Sequence, residues 1–266
     1  MAQQQPATAG LTLRIDAGVA WIVADNPQRM NAWTAAMWAS LPAYLAAADA
    51  DPAARVIVLR GAGDKAFSAG ADISEFETAR SGDAARHYDE LNHAAFAALT
   101  GTAKPTIAMI HGFCLGGGLA LALCCDLRLA DDKAQFSIPA ARLGIGYNPR
   151  WVRPLLAVVS PARAKELQFT GRRFSAAEAA GMCLGNCLVA PDALEAETGE
   201  LASAIARNAP LTIRAAKQTI DALARHPESA DTSALDRLVE ACFTSEDYAE
   251  GRRAFLEKRP PQFKGR

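Results

Sequence analysis

Pro105-Thr106-Ile107-Ala108-Met109-Ile110-His111-Gly112-Phe113-Cys114-Leu115-Gly116-Gly117-Gly118-Leu119-Ala120-Leu121 is the stretch on which the reading of this chain turns. Its first part is a nearly continuous apolar run, the pattern of a strand buried on both faces. Its second part is three glycines opening an apolar helix. Glycines between a strand and a helix let the main chain turn tightly and let a ligand touch it directly. The first amides of a helix have no partner inside it and carry partial positive charge, which suits an anionic oxygen. A tight turn with no ligand would use the same residues. Two other uses of such glycines fit poorly. The spacing from Gly112 to Gly118 is not G-x-G-x-x-G, and no Gly-Lys-Ser/Thr closes a phosphate loop.

A second glycine-bearing segment, Lys65-Ala66-Phe67-Ser68-Ala69-Gly70-Ala71-Asp72-Ile73, follows the apolar run Val56–Leu59. If the two strands are parallel neighbours, this loop and the Gly117 turn meet at one sheet edge. Two donors converging on one point are what an oxyanion hole requires. Outward from there, Leu11–Ile15 and Val19–Ala24 flank Asp16-Ala17-Gly18, a hairpin signal. Helices are expected from about Thr34 to before Asp51-Pro52 and over roughly Asp83–Leu99, with a strand at Leu127–Ala130. This alternation predicts an α/β fold of parallel strands joined by right-handed crossovers. Spacing leaves open a flat doubly wound sheet or a stacked spiral. Ser160-Pro161 and the capping box Ser175–Glu178 open further helices, and helical spacing runs from Pro191 through Glu257. The chain thus divides into a lead-in (1–10), an α/β core (11–194) and a C-terminal helical region (195–266). The lead-in is polar and Gln-rich, so disorder is expected there. It lacks the basic start and apolar stretch of a secretion signal.

Half of the 266 residues are hydrophobic, enough for a sizeable core. A net charge of -1 gives no electrostatic case for nucleic acid or an anionic membrane surface. No apolar run is long enough to span a bilayer. The six cysteines sit mostly in apolar segments, which predicts buried thiols and a reducing, cytoplasmic setting. Cys183 and Cys187 lack the further ligands a zinc site needs, so no metal is expected.

Several segments, taken jointly and in order, resemble the crotonase, or enoyl-CoA hydratase/isomerase, superfamily from about Leu11 to the C-terminus. They are Asn26-Pro27-Gln28-Arg29-Met30-Asn31-Ala32, Phe67–Ile73, Leu115–Gly118, Ala134-Gln135-Phe136-Ser137-Ile138-Pro139, Ala164–Leu167 and Ala254–Arg259. The resemblance implies a spiral of ββα units with a C-terminal helical trimerisation region, and homotrimers often paired into hexamers. It implies an acyl-CoA thioester as ligand, with coenzyme A arriving as part of the substrate and no separate cofactor. By the same resemblance the amides of Ala71 and Gly117 hold the thioester oxygen as it becomes enolate-like, and Gly116 is among the residues that bind the CoA substrate. Ser68, Ala69, Gly70, Asp72 and Ile73 would line the adenine pocket. Arg29 and Lys258 would meet CoA phosphates, Lys258 from a neighbouring subunit; ordinary solvated charge is an equal reading of both.

The departures are as informative. Hydratases of this family position water with two glutamates, and the matching residues here are Ala120 and Ala140. Alanine moves no proton, so general acid–base help of about 10²–10⁴-fold is lost unless another group supplies it. The expectation is a hydratase-like lyase whose exact reaction is open. Leu143-Gly144-Ile145-Gly146-Tyr147-Asn148 is similar to the equivalent stretch of methylmalonyl-CoA decarboxylase, which makes Tyr147 a catalytic candidate. That decarboxylase carries a histidine at the position of Ala71 and a glutamate at that of Ala120. A pocket-wall phenol is the alternative for Tyr147, and an acyl-CoA-binding protein without catalysis is the third function to test. His111 reads as structural. His93, near His87, Tyr88 and Glu90, faces either an acyl pocket or solvent. Arg142, Arg150 and Arg153 either meet a substrate carboxylate or pair on the surface.

Overall fold

A computed structural model describes residues 3–8, 10–75, 82–225 and 228–266. Strands β1 (Gln3–Thr8), β2 (Leu11–Asp16) and β3 (Val19–Ala24) precede helix α1 (Ala35–Ala50). Next come β4 (Val56–Gly61), β5 (Ala66–Ser68), α2 (Gly82–Gly101), β6 (Thr106–Ile110), β7 (Phe113–Leu115) and α3 (Gly117–Cys124). Then follow β8 (Leu127–Asp131), β9 (Gln135–Ser137), α4 (Pro149–Val158), α5 (Pro161–Thr170), β10 (Phe174–Ser175), α6 (Ala176–Ala180) and β11 (Cys187–Val189). Helices α7 (Leu194–Ala206), α8 (Pro210–Arg225), α9 (Thr232–Phe243) and α10 (Glu246–Leu256) complete the chain.

The strands form two sheets. The larger runs β1-β2-β3-β4-β6-β8-β11, antiparallel as far as β3 and parallel beyond it. The smaller runs β10-β9-β7-β5, with β5, β7 and β9 parallel. The chain therefore visits the large sheet, then the small one, then a helix: β4-β5-α2, then β6-β7-α3. This is the stacked ββα spiral, and it closes the choice that spacing left open.

Side-chain alternation explains the continuous apolar runs. Ile57, Leu59, Ala108 and Ile110 face the main core with Trp38 and Leu41 of α1. Val56, Val58, Ile107 and Met109 face the other way, onto Leu194 and Ala202 of α7. Both faces of these strands are covered, so both sets of positions must be apolar. Helix α7, where the C-terminal region was expected to begin, thus packs as a layer of the core, and α8–α10 continue beyond it.

Helix α1 starts where Thr34 Oγ1 accepts from Met37 N at 3.2 Å. Met37, Trp38, Leu41, Tyr44, Leu45 and Ala48 make its buried stripe. Helix α3 differs: Gly118 through Cys124 are all buried, so it is apolar all round and sits centrally.

Two expectations are corrected. The polar lead-in is not disordered throughout: β1 pairs antiparallel with β2, and its register shifts between Gln5 and Thr8. Edge pairing is made by main-chain groups and needs no apolar pattern, and an edge tolerates Pro6. Met1, Ala2 and Ala9 lie outside the described residues. Nor are the thiols mostly buried. Cys114, Cys124 and Cys125 are, but Cys183 and Cys187 are exposed and Cys242 is half-buried. Cys183 stands in a left-handed turn and Cys187 on the edge strand β11, positions where an apolar neighbour in sequence does not mean burial.

Candidate active site

The parallel strands β5, β7 and β9 are three residues each, and their ends lie nearly level, with Ser68 opposite Cys114 and Leu115 opposite Ser137. The chain leaves all three on the same side. Ala69–Ala71, Gly116–Gly117 and Ile138–Ala140 then wall one cavity of about 100 Å³. The two glycine segments do meet, but at the ends of short strands that follow the large-sheet strands expected to carry them.

Main-chain geometry sets the donors. Trp33 N donates to Gly70 O at 2.7 Å and Asp72 N donates to Trp33 O at 2.9 Å. Ala71 is the bridging residue between these two bonds, so its own N–H points away from Trp33. The Gly117 turn faces it: a Cβ at Gly117 would lie 3.7 Å from Ala71 N and 3.3 Å from Trp38 Cζ2. Gly117 is the first residue of α3, where an N–H has no acceptor within the helix. Its neighbours are glycines for other reasons. Gly116 has a φ of 51°, and a Cβ at Gly118 would come within 2.6 Å of Ser68 Cβ. Two free-facing amides at one point can hold an oxygen that gains negative charge.

The segment Asn26–Ala32 braces this arrangement from behind. Asn31 Nδ2 donates to Ala62 O at 2.8 Å and to Ala66 O at 2.6 Å. Ala69 N donates to Met30 O at 2.9 Å. The Ala71 loop is therefore tied at both ends.

The cavity's remaining walls are mostly apolar, including Phe96, Ile138, Ile145 and Trp151. Among the described lining residues none is charged, and the polar side chains are Asn92 and Tyr147. Tyr147 packs edge-on against Trp151, ring centroids 5.3 Å apart. Its hydroxyl is buried and has no hydrogen-bond partner among the described residues. Burial, and then the neighbouring Cys124 and Cys114, push the phenol well above its ordinary value, so it is neutral at physiological pH. Asn92 lies on the buried face of α2 with Tyr88, Phe96 and Leu99. Sequence reading missed it; the only signal was one polar residue on an otherwise apolar helical stripe. Ala140 lines the cavity, whereas Ala120 is sealed inside α3 at 1% exposure.

Other predicted residues are placed as follows. Ile73 lines the cavity and is otherwise exposed. Ser68 and Asp72 are not among its walls. Ser68 Oγ accepts from Gly70 N at 3.0 Å. Asp72 accepts from Arg29 Nη1 at 2.8 Å, Ser74 N at 3.0 Å and Ser74 Oγ at 2.7 Å. Burial works to raise the Asp72 pKa, but the Ser74 hydrogen bonds and then Arg29 outweigh it and hold the carboxyl below its ordinary value. Arg29 also bonds Ser74 Oγ. Lys258 is exposed in a left-handed turn after α10, away from the cavity walls of the single chain. His111 is buried and outside the cavity; burial and then Arg60 push its pKa down, favouring the neutral ring. His87 and His93 are exposed, while Tyr88 is buried and its Oη accepts from Trp38 Nε1 at 2.9 Å. Arg142, Arg150 and Arg153 are exposed and line no part of the cavity. No group of three His, Cys, Asp or Glu among the described residues could hold a metal ion. No helix among them is long and apolar enough to cross a membrane.

Comparisons with known proteins agree with this architecture. The profile of the family described as enoyl-CoA hydratase/isomerase matches residues 14–266. The chain is 35% identical to the crotonyl-CoA hydratase of Syntrophomonas wolfei over 246 residues, 90% of this chain and 92% of that protein. It is 34% identical to the short-chain-enoyl-CoA hydratase of Clostridium acetobutylicum over 244 residues, 91% of this chain and 92% of that one. The crystal structure of an enoyl-CoA hydratase/carnithine racemase from Magnetospirillum magneticum superposes with a TM-score of 0.94 at 36% identity, covering 98% of this chain and 97% of the other.

Proposed function

The chain belongs to the enoyl-CoA hydratase/isomerase family, the crotonase superfamily, and we propose that it is a CoA-thioester lyase in which the amides of Ala71 and Gly117 hold the thioester oxygen while the acyl group becomes an enolate. The observation that carries this reading is the pair of outward main-chain amides at the ends of β5 and β7. Fixed donors at the point where charge develops are worth about 10²–10³-fold in kcat each. The relatives named for crotonyl-CoA and short-chain enoyl-CoA, together with a cavity of about 100 Å³, support a short acyl group. Coenzyme A would run out over the exposed Ile73, with Arg29 and a neighbouring subunit's Lys258 near its phosphates. Apolar side chains left exposed on and after α8–α10, among them Ile220, Phe243, Phe255 and Leu256, support a trimer or a dimer of trimers.

One observation favours a second reading, decarboxylation of a malonyl-type thioester. The described cavity walls hold no carboxylate or imidazole to abstract a proton, yet they hold the neutral phenol of Tyr147. Breaking the bond to the carboxylate carbon releases CO₂ and leaves its electron pair in the enolate, so no base is required. Tyr147 would donate a hydrogen bond to the departing carboxylate, and its proton or that of a water would then go to the α-carbon.

Incubation with crotonyl-CoA and, separately, methylmalonyl-CoA, with products followed by mass spectrometry, decides between them. Hydration of crotonyl-CoA at a normal hydratase rate would show that the two alanines do not limit the enzyme. Propionyl-CoA formation that is lost in Tyr147→Phe supports decarboxylation. Binding without turnover across a thioester panel leaves a non-catalytic acyl-CoA-binding protein.

A further inference from the structure

One short segment grips the chain on both sides of Ala71. Before Ala71, Ala69 N donates to Met30 O at 2.9 Å. After it, Arg29 Nη1 donates to Asp72 Oδ1 at 2.8 Å. Asp72 is 5% exposed, and taking a carboxylate out of water is costly unless a cation and hydrogen bonds meet it. Arg29 supplies the cation. Ser74 N and Ser74 Oγ donate to the same Oδ1, and Arg29 Nη1 also donates to Ser74 Oγ. The turn so formed is carried on to α1, where Glu75 Oε2 accepts from Ala35 N at 2.8 Å.

The gripping segment itself is held in a conformation that side chains disfavour. Met30 and Asn31 follow Arg29 with φ of 52° and 54°. Such backbone persists where its surroundings over-determine it. With the chain turned in this way, Met30 O meets Ala69 and the Arg29 side chain meets Asp72. Asp72 N in turn makes one of the two bonds to Trp33 that leave the Ala71 N–H facing outward. A shift of Asp72 therefore turns that amide. We infer that Arg29 is a positioning residue that, through Asp72, aims the Ala71 amide at the thioester oxygen, a role apart from any contact with CoA phosphates. This rests on the thioester reading of the same cavity.

The test compares Arg29→Gln, Asp72→Asn and the double variant of the full chain with wild type. The substrates are crotonyl and methylmalonyl thioesters of CoA and of N-acetylcysteamine, a carrier without phosphates. In each single variant kcat should fall about tenfold on both carriers, because a misaimed donor loses part of its worth. The KM for the N-acetylcysteamine thioester should not change, a split that a general loss of folded protein would not produce with the urea midpoint held. The double variant should fall no further than the singles, since both act through one contact. A loss confined to the CoA thioesters makes Arg29 a phosphate ligand alone and overturns the inference. Amide hydrogen exchange supplies a reading that needs no turnover: residues 69–75 should exchange about tenfold faster in all three variants, with β4 and β6 unchanged. Unchanged exchange at 69–75 overturns this inference alone. No turnover of any of the four thioesters by wild type overturns the lyase reading and this inference with it.

Discussion

Ala140 and Ala120 stand where the family resemblance implies two glutamates, and the fold treats them differently. Ala140 walls the cavity, and Ala120 is enclosed in α3. A glutamate at 140 has open space to enter; one at 120 must displace packed neighbours and bury a charge. Ala140→Glu should therefore retain the wild-type urea midpoint, whereas Ala120→Glu should lose about 2–4 kcal/mol of stability. Tyr147 gives a prediction of its own. Its phenol has no partner and burial raises its pKa. Tyr147→Phe should be at least as stable as wild type at pH 7, because a buried unmet hydroxyl is removed. The folded state holds the phenolic proton more tightly than the unfolded state does. The stability tied to that proton is complete below the unfolded pKa of about 10 and declines as pH rises beyond it. Melting curves between pH 9 and 11.5 should show wild type losing more stability than the phenylalanine variant. Equal alkaline losses would mean that Tyr147 is not secluded.

At the level of elements, the small sheet sets the site, and Asn31 holds that sheet to the large one. Asn31→Ala removes the donations to Ala62 O and Ala66 O and the bond that Oδ1 accepts from Asn26 N. We expect a loss of about 2–4 kcal/mol by urea unfolding, with activity falling further than the folded fraction because the Ala71 loop loses its brace. This element is also where the limits of sequence reading fall. β4, β6 and α1 were legible because their runs are long enough for period and capping to show. β5, β7 and β9 were not, since three residues display no period. The meeting of the Ala71 and Gly117 segments at one cavity was legible through their glycines. Asn92 was hidden because one polar residue within Tyr88–Leu99 does not disturb a helical pattern. Ser68 and Asp72 lie outside the cavity walls, and their side chains serve the loop's own hydrogen bonds, which coordinates are needed to see.

Across the whole molecule, apolar surface is distributed unevenly. The main core is continuous from α1 through the small sheet, while the C-terminal helices leave Phe255 at 84% and Phe243 at 61% exposure. The segment after α10 is tied back rather than free: Asp247 accepts from Lys264 N at 2.6 Å and Gly265 N at 2.8 Å. Glu250 accepts from Arg259, Arg253 and Gln262 N. A rigid apolar surface of this kind fits association between copies. Light scattering should give a trimer or hexamer for wild type, and Phe255→Asp should shift it toward monomer with unchanged far-ultraviolet dichroism. A wild-type monomer at micromolar concentration would remove the oligomer from the proposal. The outward amides at the ends of β5 and β7 have a genetic consequence as well. Every amino acid except proline supplies the same N–H, so at position 71 only a change to proline deletes the donor. Inheritance can therefore exchange the side chains around the cavity while these main-chain donors pass on unaltered. Ala71→Pro is the substitution that breaks that immunity.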